Sequence, residues 1–129
     1  MSAKARKDFP VLLPTLARKN TSQEEQARAH ELLSRVGLAE RLNHRPHELS
    51  VGQQQRVAVA RALINQPMLV LADEPTGSLD HENSRNLVQL LHELQSDLNL
   101  ALVMVSHADE LTQTMNRVVA LKDGSLHPI

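Results

Sequence analysis

A short apolar segment that ends in two adjacent carboxylates constrains this chain more than any other feature. Residues 68–72 are too few for a typical helix and show no polar alternation, so they predict a strand buried on both faces. Asp73 and Glu74 follow directly, and a turn containing proline and glycine comes next. Because open α/β sheets bind ligands outside the carboxyl ends of their strands, both carboxylates are candidate site residues. An isolated pair of this kind would be better explained by a helix cap beside a solvated neighbour, but here the pair stands among further motifs.

Three further motifs flank this strand. Residues 49–53 (Leu-Ser-Val-Gly-Gln) precede it, whereas residues 78–80 (Ser-Leu-Asp) and, after a second apolar run, residues 106–107 (Ser-His) follow it. In this order the motifs resemble those of the ABC-type ATPase domain: signature, Walker B strand with catalytic glutamate, D-loop and switch histidine. The run Ala-Asp-Glu-Pro-Thr-Gly further resembles the ATP-binding subunits of lipoprotein-releasing and macrolide-export transporters. The resemblance covers about residues 11–127.

The resemblance implies a role for each motif residue. Glu74 would orient the attacking water and His107 would donate to the γ-phosphate, which makes both catalytic, while Asp73 would hold Mg²⁺ through a water. Without the other motifs, a cap of the next helix would be the better explanation of His107. The residues predicted to bind ATP, contributed across a dimer, are Ser50, Val51, Gly52, Gln53 and Asp80.

Helix caps are the alternative for Ser50 and Asp80, and both uses can coexist. Val51 stands where the family has a first glycine. Its β-branched side chain restricts the turn, whereas Gly52 keeps the position of closest approach to a nucleotide.

The phosphate-binding motif Gly-x-x-x-x-Gly-Lys-Ser/Thr does not occur in the sequence, since none of the four glycines is followed by lysine. We therefore expect an α/β fold that corresponds to the C-terminal part of an ABC ATPase domain. It would be a helical signature subdomain followed by a mostly parallel sheet, without the P-loop half. We expect weak or absent binding of ATP and Mg²⁺ to this truncated chain.

The predicted organisation is a basic leader at residues 1–10 that matches nothing in the family, then a partial domain at 11–127. Residues 11–66 would form the helical signature part, and 67–127 the part with Walker B and the switch histidine. A capping box from Thr21 to Glu24 predicts a helix up to residue 36, which Gly37 would end. A short helix at 38–42 and a loop at 43–48 would precede the helix that begins at Ser50.

Leucines at helical spacing predict a long helix over 81–98. A second buried strand is predicted at 100–105, a short helix at 108–115 and a third strand at 117–121. The alternation of strands and helices predicts a parallel sheet. Residues 122–125 (Lys-Asp-Gly-Ser) predict a hairpin turn that leads to a last strand.

Composition bounds the class of partner. The net charge is −1 and the single aromatic residue is Phe9, so the chain offers neither a basic stripe nor a stacking platform for nucleic acid. The absence of cysteine suits a reducing compartment. His44 and His47 have a spacing that suits a metal, but a solvated loop explains them better.

The resemblance implies an ATP-hydrolysing subunit of an ABC transporter for lipoprotein release or related export. Such a subunit pairs with a second ATP-binding domain and a membrane permease, and lies in the cytoplasm, peripheral to the inner membrane. The alternative is a catalytically inactive remnant or pseudo-ATPase. A soluble ABC protein acting on nucleic acid or ribosomes is a third reading, which the charge balance disfavours.

Overall fold

The computed structural model describes residues 22–41, 44 and 46–129 of the chain. Helices and short strands alternate after an N-terminal helical part, as an α/β fold requires. The helices are α1 (Gln23–Arg35), α2 (Val51–Leu63), α3 (His81–Leu98) and α4 (Asp109–Thr112), and the strands are β1 (Leu69–Asp73), β2 (Ala101–Val105), β3 (Val119–Lys122) and β4 (Ser125–Pro128). None of the described helices has the length and apolar character needed to span a membrane.

Helix α1 begins one residue later than predicted. Ser22, not Thr21, is the N-cap, and its capping box closes with Glu25 instead of Glu24. The Ser22 hydroxyl accepts from the Glu25 N–H at 3.1 Å, and the Glu25 carboxylate accepts from the Ser22 N–H at 2.9 Å. Two overlapping capping-box patterns occur in the sequence. The predicted one was wrong because Ser22 is the N-cap of the helix. Thr21 itself lies outside the described residues.

The end of α1 was predicted correctly. Gly37 has φ +76°, the left-handed conformation that glycine adopts without a Cβ penalty. The N–H of Leu38 donates to the Leu33 carbonyl at 2.8 Å and that of Gly37 to the Ser34 carbonyl at 3.0 Å, which is a Schellman motif. The next segments form 3₁₀ turns at Ala39–Arg41 and Pro46–Glu48, shorter than the predicted helix and within the predicted loop.

Helices α1 and α2 hold each other's ends through two arginines. Arg28 on α1 donates to the carbonyl of Ile64, just after α2, at 3.0 Å. Arg56 on α2 donates to the carbonyl of Val36, just after α1, at 3.1 Å. The last carbonyls of a helix lack intrahelical partners, so each guanidinium satisfies a group that would otherwise need water. We call this arrangement the reciprocal arginine caps.

Helix α3 spans the residues that were predicted for it. Asp80 caps its start, and Asn99 ends it in a left-handed conformation with φ 50°. Its inner face belongs to the one core cluster of the described residues, together with α1, α2 and Leu100. Leu98, at the end of the helix, is 42% exposed and does not belong to that inner face. The buried α3 residues are Leu87, Val88, Leu90, Leu91 and Leu94.

Strands β1 and β2 pair in parallel, with Leu69 opposite Ala101 and Asp73 opposite Val105. The third predicted strand does not extend this sheet. β3 instead pairs antiparallel with β4 in a separate hairpin, so the described residues contain two sheets of two strands. Asp123 and Gly124 at the hairpin turn have φ 49° and 75°, the pair of positive values that a type I′ turn needs. That turn was predicted; the membership of β3 in a parallel sheet was wrong.

The predicted burial of β1 and β2 on both faces is also wrong. Val70 and Leu102 pack against the core cluster, but the opposite face of the sheet is open. Apolar sequence alone cannot report whether a second layer covers a strand, and no described element covers this face. We call it the open sheet face; its exposed apolar residues are Leu69, Leu71, Val103 and Val105.

Two leucines test this division of the sheet and helices into covered and open faces. Leu91 is 5% exposed and Leu71 is 72% exposed. Leu91→Ala should lower the free energy of unfolding by about 2–5 kcal/mol, because it leaves a cavity in the core. Leu71→Ala should change it by at most about 0.5 kcal/mol, as expected of an exposed position. Urea unfolding of both variants measures this, and equal losses would contradict the open sheet face.

Candidate functional site

Asp73 and Glu74 lie at the end of β1, as predicted. The extended backbone of the strand ends at Asp73, and the chain turns at Glu74. Asp73 is exposed on the open sheet face. Glu74 has φ 45°, a left-handed value that costs a non-glycine residue about 1–2 kcal/mol. Glu74 therefore does not continue the extended alternation of β1. Strained residues cluster at functional sites, which draws attention to Glu74.

The backbone of Glu74 is fixed by the neighbouring strand and by its own turn. Its N–H donates to the Val105 carbonyl at 2.9 Å, one step beyond the ladder of β1 and β2. Its carbonyl accepts from the Gly77 N–H at 3.1 Å, which closes the turn. Thr76, at the centre of this turn, is buried. These contacts hold the left-handed conformation in place.

The structure brings Glu74 and His107 together. Oε1 of Glu74 lies 3.3 Å from Nε2 of His107, although 33 positions separate the residues in sequence (107 − 74). The His107 side chain is 96% exposed and that of Glu74 36%. Glu74 Oε1 is itself shielded from solvent and accepts no aligned hydrogen bond from the described residues. Buried polar atoms without a hydrogen-bond partner are uncommon in folded proteins, so this oxygen calls for a functional explanation.

Asn83, which belongs to none of the motifs, donates two hydrogen bonds to the N-cap residue Asp80. Oδ1 of Asp80 accepts from the Asn83 N–H at 2.8 Å, and Oδ2 accepts from the Asn83 side-chain amide, also at 2.8 Å. The pKa of Asp80 lies below its usual range, because the backbone hydrogen bond from Asn83 stabilises the carboxylate, as does the side-chain one. Asn83 sits three residues after a capping aspartate, and that spacing could have identified it from sequence.

Ser50 to Gln53 form the first turn of α2, with a capping box. The Ser50 hydroxyl accepts from the Gln53 N–H at 3.2 Å, and the Gln53 side chain accepts from the Ser50 N–H at 3.0 Å. By helix geometry, the N–H groups of Val51 and Gly52 have no intrahelical partner. The Val51 side chain is half exposed. The cap and the ligand-binding roles of this turn are thus compatible.

The predicted site residues fall into two groups. Glu74 and His107, with Asp73 beside them, lie at the carboxyl end of the parallel sheet. The first turn of α2 instead lies against the turn that contains Asp80. A Cβ placed on Gly52 would be 3.8 Å from the Asn83 side-chain oxygen and 3.9 Å from the Leu79 side chain.

A divalent metal would have few protein ligands here. The described residues, which include His44 and His47, contain no group of three or more histidine, aspartate or glutamate side chains that could hold a metal ion. Mg²⁺ commonly keeps several waters and takes one or two carboxylates together with substrate phosphates. The exposed carboxylate of Asp73 fits that manner of binding, in which a single protein ligand is sufficient.

The family profile described as "ABC transporter" matches residues 3–77, more than half of the chain. The chain belongs to the ABC transporter family. Its fold agrees, because the solved structures that it resembles are ABC ATPase cassettes.

Two relatives are lipoprotein-releasing system ATP-binding proteins. The protein LolD 2 of Caulobacter vibrioides is 49% identical over 116 residues, 90% of this chain and 51% of the relative. The protein LolD of Idiomarina loihiensis is 45% identical over 117 residues, 91% of this chain and 51% of the relative. The chain thus spans about half the length of the curated relatives it matches.

Two solved structures of MJ0796, described as a bacterial ABC transporter cassette, are also similar. The dimeric structure aligns with a TM-score of 0.73 and 43% identity, covering 90% of this chain and 52% of that one. A dimeric post-hydrolysis state bound to ADP and Pi aligns with a TM-score of 0.73 and 40% identity, covering 95% and 53%. MJ0796 therefore dimerises and binds nucleotide.

The contact between Asp80 and Asn83 predicts a pH effect. A carboxyl with a folded pKa below its unfolded pKa adds stability above the unfolded value, and this is lost as pH falls through the folded pKa. Asn83→Ala removes the side-chain hydrogen bond, so the pKa of Asp80 should rise toward its ordinary value and the loss of stability in acid should become shallower. Carbon NMR of the Asp80 carboxyl measures this. Asn86→Ala, on the exposed side of α3, is the control and should leave that pKa unchanged.

Proposed function

We propose that this chain acts within an ATP-hydrolysing subunit of an ABC transporter that releases lipoproteins or related amphipathic cargo from a membrane. The observation that carries the proposal is the approach of Glu74 to His107 at the carboxyl end of the parallel sheet. Membership of the family supports ATP as the ligand, and the two LolD relatives support lipoprotein release.

Glu74 is proposed to act as the general base. Hydrolysis needs a carboxylate that orients and deprotonates the attacking water. The Glu74 side chain is 36% exposed, so water reaches the carboxylate, and no aligned hydrogen bond from the described residues occupies Oε1. The left-handed backbone, fixed by the bond to Val105, limits the positions that this carboxylate can adopt. Such restriction favours a single orientation of the water.

His107 and Asp73 are proposed to flank this base with separate tasks. The exposed imidazole of His107 can donate to a γ-phosphate oxygen while it stays beside Glu74. Asp73 would hold Mg²⁺, which when bound neutralises phosphate charge. Because Asp73 faces the open side of the sheet and Glu74 is turned toward β2, the metal ligand and the base do not compete for one position.

The first turn of α2 and Asp80 are proposed to serve a nucleotide held by a second ATP-binding domain. The unpaired N–H groups of Val51 and Gly52 lie at the positive end of a helix, where an anion is favoured. The capping box fixes the neighbouring residues Ser50 and Gln53, so the turn is formed before ligand arrives. The dimeric structure of MJ0796 supports a dimer. A membrane permease and a peripheral position on the inner membrane complete the proposal.

Substitution of Glu74 tests the proposed base. A hybrid that adds to this chain the part of the Caulobacter vibrioides relative outside the matched 51% would supply what this chain does not span. In it, Glu74→Gln keeps the shape of the side chain and removes the base. We expect kcat for ATP hydrolysis to fall about 100-fold or more, with little change in ATP binding. Steady-state phosphate release and nucleotide titration measure the two quantities.

The matched control is Glu31→Gln, which changes an exposed carboxylate on α1 and should leave kcat unchanged. A Glu74→Gln hybrid with the turnover of its parent would contradict the role of Glu74 and require another group to orient the water.

Val51→Gly in the same hybrid tests the first turn of α2. Removing the half-exposed branched side chain should let a nucleotide approach more closely, so we expect faster ATP-driven dimerisation and turnover. Glycine should also lower helix stability by up to about 1 kcal/mol. Ala58→Gly, at an exposed position within α2, carries the same helix cost without altering the first turn. Turnover that is equal in both variants would mean that valine does not restrict the signature turn.

A further inference from the structure

The segment that carries His107 contains a very short helix. Helix α4 is only four residues long, and its N-cap, Ala108, has no side-chain hydrogen bond. The Ser106 hydroxyl accepts from the Ala108 N–H at 3.1 Å, which shapes the turn locally without joining it to another element. Leu111 is the buried hydrophobic residue of α4. A helix of four residues depends on contacts with other elements to keep one position, and the position of His107 depends on it.

Two histidines of α3 supply contacts to this segment. Nε2 of His81, the first residue of α3, lies 2.7 Å from Oε2 of Glu110. Nε2 of His92, three turns further along, lies 3.3 Å from the Thr114 hydroxyl. That hydroxyl donates at 2.8 Å to the Leu111 carbonyl, so its lone pairs can accept a hydrogen bond from the His92 imidazole. The contact of His81 is the shorter one and lies nearer to His107 in the chain.

We propose that His81 is a positioning residue for His107: its ion pair with Glu110 holds the start of α4 against the first turn of α3 and thereby keeps the His107 imidazole beside Glu74. The inference rests on the proposed function only for the role of His107. The held geometry itself can be measured without ATP hydrolysis.

The place of His81 gives this contact a second consequence. The same turn of α3 contains Asp80 and Asn83, and the Asn83 side chain lies against Gly52 of α2. One helical turn is therefore joined to the first turn of α2 on one side and to the segment of His107 on the other. A shift of the α2 turn that moves α3 would reach His107 through His81 and Glu110. This path connects the two groups of site residues.

The ion pair should act on local position and not on global stability. The side chains of His81 and Glu110 are 58% and 65% exposed, and exposed ion pairs contribute little to unfolding free energy. Loss of the pair should leave the urea midpoint of the chain unchanged. It should, however, allow the segment to leave α3 more often, which separates a positioning role from a general structural one.

The test uses the full chain, with all variants compared in one buffer. The readouts are the nuclear Overhauser contact between the His107 ring and the Glu74 side chain, and the exchange rate of the Leu111 amide, which donates to the Ala108 carbonyl at 3.1 Å. In His81→Ala and Glu110→Gln, the ratio of docked to undocked segment should fall about two- to fivefold, the strength of an exposed ion pair. The contact should weaken and the amide should exchange faster.

Rescue distinguishes a charge interaction from packing. His81→Lys keeps a positive charge opposite Glu110 and should restore both readouts. Glu93→Gln is the control, because the Glu93 carboxylate accepts from Gln89 on α3 itself and does not reach α4. Unchanged readouts in His81→Ala and Glu110→Gln, or a His81→Lys variant that behaves like His81→Ala, would overturn the inference.

A functional arm separates this inference from the proposed function. In the hybrid cassette, Glu110→Gln should lower kcat about two- to fivefold with an unchanged KM for ATP, because it changes the fraction of enzyme with His107 in place. A hybrid without ATPase activity would contradict the proposed function, while the spectra of the full chain would still decide the position of His107. A hybrid with full activity in Glu110→Gln, together with unchanged spectra, would overturn the positioning role alone.

Discussion

The parallel pairing of β1 with β2 is the interaction on which the candidate site depends. Parallel strands end at the same edge of a sheet, so the register that sets Asp73 opposite Val105 also fixes where the residues after each strand emerge. The bond from the Glu74 N–H to the Val105 carbonyl extends that register into the turn. A slip of one residue would reverse the faces of a strand and separate Glu74 from His107. The long helix between the strands makes the pairing possible, since a parallel crossover needs such a connection.

Local sequence signals predicted the features that depend on local physics. The bounds of α3, the cap at Ser50 and the glycine that ends α1 follow from leucine spacing, capping chemistry and the conformational freedom of glycine. The turn at Asp123 was predicted for the same reason. Burial of the strands and the pairing of β3 were predicted wrongly, because both depend on what lies across the sheet. A run of apolar residues is the same whether one face or two are covered.

The candidate site likewise combines residues that the sequence motifs predicted with contacts that they could not predict. Motif order drew attention to Glu74 and His107, and sheet topology explains why two residues so distant in sequence approach each other. The left-handed backbone of Glu74 could not be predicted, since no glycine or asparagine at that position announces it. The contact between His81 and Glu110 was equally hidden, because it depends on how a four-residue helix lies against α3 and not on a motif.

The reciprocal arginine caps join α1 and α2 into one rigid pair of helices. Each guanidinium is bound to the last turn of the other helix, at the Val36 and Ile64 carbonyls, so neither helix can rotate without breaking a hydrogen bond at the far end of its neighbour. A displacement of α1 that keeps both bonds would therefore carry α2 with it, including the first turn that Ser50 caps. The two helices therefore move together, and the first turn of α2 lies at one end of the pair.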